Sequence, residues 1–73
     1  MKEIDLHGVR HDKVKDQLGS QLITEFNKGH FPIRVITGQS LMMKKIVNKI
    51  LEGQRFKGRE EYHNSGALII TDE

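Results

Sequence analysis

Two stretches with the apolar spacing of an α-helix alternate with short β-branched runs, and this alternation limits the folds open to the chain. The first stretch has an apolar residue at every fourth position, which predicts a helix with one apolar stripe: Val14, Leu18, Leu22 and Phe26, with Ile23 alongside. Asp12 suits the first turn of this helix, and Gly29 suits its end. Gly19 weakens the helix by about 1 kcal/mol relative to alanine, which indicates a close contact between the helix and a sheet there.

The second helix is predicted over residues 41–52. Ser40 suits its N-cap and Gly53 its end. Its apolar residues follow helical spacing: Met43, Ile46, Val47, Ile50 and Leu51. Lys44, Lys45 and Lys49 lie off this stripe, so we expect them on the solvated flank of the helix.

Strand-like runs flank the two helices. Residues 4–7 and 33–37 predict two strands, residues 55–62 a strand bent near Gly58, and the apolar residues 67–71 a well-covered strand. The sequence His63-Asn64-Ser65-Gly66 predicts a turn. The resulting βαβαββ order predicts a two-layer α/β sandwich (α+β in class), with a mixed four-stranded sheet on two helices and the first two strands parallel.

Size and composition predict a single domain over residues 1–73, near the lower size limit for a core without cross-links. The chain contains no cysteine, so disulfides and thiolate metal sites are excluded. The amino terminus does not resemble a signal peptide, and the longest apolar run is too short for a membrane span. We therefore expect a cytoplasmic monomer with no membrane partner. A net charge of +2 permits a nucleic-acid partner but does not require one.

Asp5 and His7 are the strongest candidates for catalysis. Side chains alternate along a strand, so the two should share one face while Ile4 and Leu6 are buried on the other. A carboxylate beside an imidazole can fix its tautomer and stabilise its charged form. Gly8 then permits a sharp turn or the close approach of a ligand. The alternative is that Asp5 and His7 only cap backbone groups at the strand end.

A second turn should lie beside the first. Ligands of such sheets bind beyond the carboxyl ends of the strands, and both His7-Gly8 and Thr37-Gly38 follow strand ends. We therefore expect the two turns to be neighbours in space and to form one site.

These motifs resemble the Smr (small MutS-related) domain family. Its opening signature, Leu-Asp-Leu-His-Gly, is matched by Ile4-Asp5-Leu6-His7-Gly8 with one conservative change. A strand ending in Thr-Gly corresponds to Thr37-Gly38, and an Asn-x-Gly turn before the last strand corresponds to Asn64-Ser65-Gly66. The three motifs occur in the family's order and span almost the whole chain.

The resemblance implies a fold similar to the C-terminal domain of bacterial translation initiation factor three. It also implies nucleic-acid binding and, as in many members, endonuclease activity that nicks DNA or cleaves RNA, including mRNA on stalled ribosomes. The acid and histidine implicated in cleavage would here be Asp5 and His7. Ribosome association is left open, as is a protein-interaction role.

The second motif departs from the family. Many members read Thr-Gly-Lys/Arg-Gly, whereas this chain reads Thr37-Gly38-Gln39-Ser40. Glutamine offers only a neutral dipole where phosphate cleavage favours a fixed positive charge. Lys44, Lys45 or the N–H groups at the helix N-terminus could supply the missing contact.

The expected nucleic-acid contacts gather around these motifs: Gly8, Arg10, His11, Thr37, Gly38, Gln39, Ser40, Lys44, Lys45, Asn64 and Gly66. Arg55, Lys57 and Arg59 could add a basic row, diluted by the acidic pair that follows, and Tyr62 could stack on a base. No metal ligands are expected, since a set of His7, His11 and Asp12 lacks a further strong ligand. Magnesium is left open as a cofactor, although it would need more oxygen ligands than Asp5 provides.

The sequence thus supports two functions. The first is a nucleic-acid-binding domain with endonuclease activity through Asp5 and His7, acting on RNA or DNA. The second, favoured by Gln39, is a binding module without turnover whose nucleic-acid affinity depends on salt.

Overall fold

The computed structural model describes residues 1–72 and has the predicted βαβαββ order. Its elements are β1 (Lys2–Asp5), α1 (His11–Asn27), β2 (Ile33–Ile36), α2 (Leu41–Gln54), β3 (Lys57–Glu61) and β4 (Asn64–Thr71). The strands form one mixed sheet in the order β1-β2-β4-β3. β1 and β2 are parallel, and β4 is antiparallel to both its neighbours, β2 and β3. The predicted fold class is confirmed.

One face of the sheet carries the core. The cross-strand partners Ile4, Val35 and Leu68 lie in one row, so their side chains point to the same side. Both helices contribute to the same apolar cluster, which gives two layers: Val14, Leu18 and Leu22 from α1, and Met43, Val47 and Leu51 from α2. β4 is buried on both faces, since Ala67 and Ile69 are also inaccessible, and this explains its continuous apolar sequence.

The end of α1 differs from the predicted stripe. Ile23 and Phe26 are exposed, whereas Glu25 is buried. The Phe26 ring lies outside the core, 5.5 Å from the Phe31 ring and 5.4 Å from the Phe56 ring by their centroids. Glu25 can be buried because His30 hydrogen-bonds its carboxylate and the Lys2 ammonium lies 4.0 Å away.

Gly19 contacts the other helix and not the sheet. The side-chain amide of Gln54 donates to the Gly19 carbonyl over 3.1 Å, and a Cβ on Gly19 would lie 3.3 Å from that amide nitrogen. The predicted end of α2 at Gly53 is also wrong, because the helix continues to Gln54. Arg55 then takes the left-handed conformation with φ of 62° and acts as the C-cap.

The bend in β3 lies later than predicted. A register shift falls between Glu60 and Glu61, whereas Gly58 is in regular register with Ile70. Glycine at 58 has a packing reason instead, since a Cβ there would lie 2.7 Å from Leu51 Cδ1. The turn is also shorter than predicted, because β4 already begins at Asn64.

None of the helices within residues 1–72 has both the length and the apolar character needed to cross a membrane.

We predict that Gly58→Ala destabilises the fold by about 1–3 kcal/mol, because the added methyl group overpacks against Leu51 in the core. The matched control is Gly53→Ala, inside α2, where a Cβ meets nothing within 4 Å. That change should stabilise the protein by about 0.5–1 kcal/mol through helix propensity. Urea unfolding of the two variants checks both signs, and equal stabilities would contradict the packing assignment.

We also predict that Glu25 stabilises the folded state and that this stabilisation is lost in acid. Its hydrogen bond with His30 holds the pKa of the buried carboxyl below its usual value of 4.5, with help from Lys2. A carboxyl whose pKa is lowered by folding stabilises the folded state above its unfolded pKa, and this is lost as pH falls through the folded value. Glu25→Gln should therefore lower the urea midpoint by a constant amount above about pH 5, and the difference should narrow below that pH.

The matched control for this carboxyl is Glu52→Gln, which alters an exposed residue of α2. It should leave the urea midpoint near the wild-type value at every pH. A gap between wild type and Glu25→Gln that widens in acid would contradict the assignment.

Candidate functional site

Three motifs that are distant in sequence meet at one end of the sheet: the turn after β1, the turn after β2 and the start of β4. The carbonyl oxygen of Gly66, in the third motif, accepts hydrogen bonds from the backbone N–H groups of Thr37 (2.9 Å) and Gly38 (3.0 Å). The buried Thr37 hydroxyl lies 3.3 Å from the same oxygen. The Ser65 hydroxyl also donates to the side-chain oxygen of Gln39 over 3.0 Å. These bonds join the turn after β2 to the start of β4.

His7 completes this arrangement. The Leu6 N–H donates to the Ile36 carbonyl over 2.8 Å, which extends the β1–β2 pairing to the residue before His7. The imidazole then lies against Gly38, since a Cβ on that glycine would be 3.2 Å from His7 Cδ2. Gly38 also has a φ of +68°, so this position needs glycine for both its conformation and its space. The predicted neighbourhood of the two turns is confirmed, and His7 stays exposed.

Asp5 acts on the backbone of His7. β1 ends at Asp5, and His7 and Gly8 form a turn in which Gly8 has a φ of +83°. The expected strand alternation therefore does not reach His7. The Asp5 carboxylate accepts the His7 backbone N–H over 2.9 Å, and no bond joins it to the imidazole in the described part of the chain. Asp5 therefore fixes the turn that carries His7. For Asp5, this is the alternative role considered above, in which the side chain caps a backbone group at the strand end.

The start of α2 supplies hydrogen-bond donors to the site. Ser40 is the N-cap as predicted, and its hydroxyl accepts the Met43 N–H over 3.0 Å. The remaining N–H groups of this first turn carry a partial positive charge at the helix end. They follow Gln39 directly, and so they lie at the same edge as His7 and Gly38.

The two lysines of α2 differ in their surroundings. Lys44 was expected on the solvated flank, but its side chain is only 14% exposed and its ammonium lies 3.2 Å from the Glu60 carboxylate. This ion pair is possible because the first turns of α2 lie over the end of β3. Lys45 is exposed and forms no ion pair with any of residues 1–72. It is the cation of this helix end that is open to a ligand.

Arg10 and His11 lie at the start of α1. Arg10 is the N-cap residue, and its guanidinium lies 3.3 Å from the Asp12 carboxylate. His11 is the first residue of the helix and is exposed. Both follow the His7-Gly8 turn along the chain. Arg55 lies outside β3 and caps α2, so the predicted basic row is reduced to Lys57 and Arg59.

A series of hydrogen bonds on the open face of the sheet fixes the third motif, at the start of β4. Arg34 donates to Glu3 (2.7 Å) and twice to Glu61 (2.8 and 3.0 Å). Glu61 also accepts from the Asn64 side-chain amide over 3.3 Å, and the Asn64 side-chain oxygen accepts the Gly66 N–H over 3.0 Å. The hydrogen bond to Glu61 raises the pKa of the Arg34 guanidinium above its usual value. Sequence reasoning missed Arg34, Glu3 and Glu61, because no motif marks them.

The His, Asp and Glu side chains of the described residues form no group of three or more that could hold a metal ion. The set of His7, His11 and Asp12 is therefore not assembled as a metal site.

The comparison with known families agrees with this geometry. The family model described as Smr domain matches residues 4–71, a range that contains all three motifs. The protein therefore belongs to the Smr domain family, whose members generally bind nucleic acid and have nuclease potential. No curated protein and no solved structure matches the chain significantly.

We predict that Gly38→Ala displaces the His7 ring. A side chain at this left-handed φ destabilises the fold by about 1–2 kcal/mol, and the new Cβ also crowds the imidazole. Gly29→Ala is the matched control, because Gly29 has a similar φ of +75° and open space at its Cβ. Both variants should lose similar stability in urea, but only Gly38→Ala should shift the NMR signals of the His7 ring. Unchanged His7 signals in Gly38→Ala would contradict the contact.

Proposed function

We propose that this Smr domain binds nucleic acid and cleaves phosphodiester bonds, with His7 as the general acid or base. The observation that carries the proposal is the exposed His7 imidazole held against Gly38, beside the N-terminus of α2. An imidazole exchanges protons near neutral pH, and helix N–H groups favour a phosphate. The two features together supply proton transfer and anion binding at one edge of the sheet.

RNA would offer the simpler reaction. His7 takes the proton from a 2′-hydroxyl, and the 2′-oxygen attacks the adjacent phosphorus. The bond from phosphorus to the 5′-oxygen breaks, and the leaving oxygen takes up a proton from the imidazolium or from water. The products are a 2′,3′-cyclic phosphate end and a 5′-hydroxyl end. DNA lacks the 2′-hydroxyl, so nicking of DNA would need an external water as nucleophile.

Asp5 is a positioning residue in this proposal. Its carboxylate bonds the His7 backbone, so its geometry matters more than its charge. An asparagine can accept the same N–H through its side-chain oxygen, whereas an alanine cannot. Developing charge on the phosphate would be met by the α2 N-terminus and by Lys45, since Gln39 is neutral. We expect the protein to act as a cytoplasmic monomer, and ribosome-bound RNA is among its proposed substrates.

We predict that His7→Ala lowers the rate of cleavage by about 100-fold or more, the usual contribution of a general acid or base. Asp5→Asn should keep most of the activity, and Asp5→Ala should lose part of it with about 1 kcal/mol of stability. The matched control is His30→Gln, which removes an imidazole at the opposite end of the sheet and keeps a side-chain amide that can donate to Glu25. End-labelled single-stranded RNA, duplex RNA and plasmid DNA are incubated with each variant, with magnesium and with EDTA.

The outcomes of this experiment distinguish the possible routes of cleavage and test the role of His7. A cyclic phosphate end formed in EDTA supports the 2′-hydroxyl route, whereas cutting that requires magnesium would assign a metal-dependent reaction. Cutting that survives in His7→Ala would overturn the role of His7.

A second function is favoured by Gln39 and by the ion pair that engages Lys44 with Glu60. Both reduce the positive charge available to a cleaving site, and neither prevents binding through backbone N–H groups. In this case the protein retains RNA or DNA in a gel but cuts neither. The affinity would then fall with increasing salt, as expected when phosphate contacts release counterions.

A further inference from the structure

We infer that Tyr62 and His63, which form the turn between β3 and β4, are a stacking platform for unpaired bases. The inference rests on the proposed function and deepens it, because it names single-stranded nucleic acid as the substrate class. Bases stacked on aromatic side chains are bound without regard to their sequence, since every base presents an aromatic face.

The two rings form an exposed pair. Tyr62 is 82% exposed, the highest exposure of any large apolar side chain in the described residues. Its ring centroid lies 3.9 Å from that of His63, with the ring planes inclined by 51°. Phe26, Phe31 and Phe56 instead contact one another beside the core. Tyr62 is therefore the one phenylalanine or tyrosine of the described residues that is not packed beside the core.

The backbone of the turn that carries these side chains is well anchored. His63 has a φ of 64°, the left-handed conformation that few residues other than glycine and asparagine adopt readily. On either side of the turn, Glu61 pairs with Asn64 across the hairpin, and Glu61 is bound in turn by Arg34. A two-residue turn anchored in this way loses little conformational entropy when a base stacks on it.

The platform lies at the same end of the sheet as His7. Tyr62 is only four residues before Gly66, whose carbonyl binds Thr37 and Gly38. A chain of that length spans at most about 14 Å, so one nucleic-acid strand can contact both the turn and the candidate site. Leu41 and Met42, in the first turn of α2, are also exposed at this end of the sheet.

The charges around the turn are compatible with binding of a polyanion such as nucleic acid. Glu60 and Glu61 precede Tyr62, but they are paired with Lys44 and Arg34 respectively. Their negative charge is thus balanced locally and repels phosphate less than free carboxylates would.

The test uses Tyr62 as its own probe, since the chain has a single tyrosine and no tryptophan. The ligand is a short single-stranded 2′-O-methyl RNA, whose blocked 2′-oxygens prevent the proposed cleavage. We expect this RNA to quench the tyrosine fluorescence of the full chain. The variants at this position lack the tyrosine, so the affinity of every protein is measured from the fluorescence anisotropy of the same RNA carrying an end label. Tyr62→Ala should weaken binding of this RNA between about fivefold and about 150-fold, as base stacking predicts. Tyr62→Phe keeps the ring and should bind within about twofold of wild type.

Two further comparisons complete the design. His63→Asn removes the second ring, and asparagine tolerates the left-handed conformation of this position. This variant should also bind the single-stranded RNA more weakly than wild type. A duplex of the same sequence has its bases stacked internally, so Tyr62→Ala should reduce the affinity for the duplex less than the affinity for the single strand.

The outcomes distinguish this inference from the proposed function. Single-strand binding that Tyr62→Ala leaves unchanged overturns the platform, even if the protein cuts RNA. Tyr62-dependent binding of the 2′-O-methyl RNA, with no cutting of unmodified RNA or of plasmid DNA, supports the platform and overturns the nuclease proposal. Binding of neither ligand overturns both, and a protein partner would then be the remaining role for this exposed turn.

Discussion

The carbonyl oxygen of Gly66 is the point on which the candidate site depends. It accepts the N–H groups of both Thr37 and Gly38, so a single atom fixes the end of β2 against the start of β4. Gly38, placed in this way, provides the surface for the His7 ring, and Gly66 is held by Asn64 on its other side. A backbone acceptor buried at a sheet edge must be satisfied, and here the bonds that satisfy it also bring the three family motifs together.

Local patterns in the sequence were sufficient for the elements and for the convergence of the motifs. The spacing of Val14, Leu18 and Leu22 defines the buried side of α1, and parallel β1 and β2 bring their ends to one edge. The α2 N-cap follows from Ser40 because its bond to Met43 is local. Such features are encoded within a few residues, and sequence spacing therefore reveals them.

The missed features are pairings between distant residues. Lys44 binds Glu60, Arg34 binds Glu61 and Gln54 binds Gly19, across sequence separations of 16, 27 and 35 residues. No periodicity encodes these pairs, and each depends on how the elements pack. The predicted end of α2 was wrong for another reason. Glycine is preferred but not required at a left-handed C-cap, and here Arg55 takes that position two residues after Gly53. The prediction that Asp5 and His7 share one face of a strand was wrong because β1 ends at Asp5, before His7.

Most cations near the site are already engaged. Arg34 is held by two carboxylates, Lys44 by Glu60 and Arg10 by Asp12. Within residues 1–72, this leaves Lys45 as the open charge of the α2 terminus. Exposed pairs are worth at most about 1 kcal/mol, so a phosphate can compete for Arg10, whereas the doubly held Arg34 is far less available. With these pairs and a net charge of +2, long-range attraction of a polyanion is weak, and phosphate contacts through Lys45 and Arg10 add only a modest, salt-dependent part. In the proposed function, most of the affinity would therefore come from short-range contacts, namely helix N–H groups and base stacking, which act only on a strand already placed against the turns.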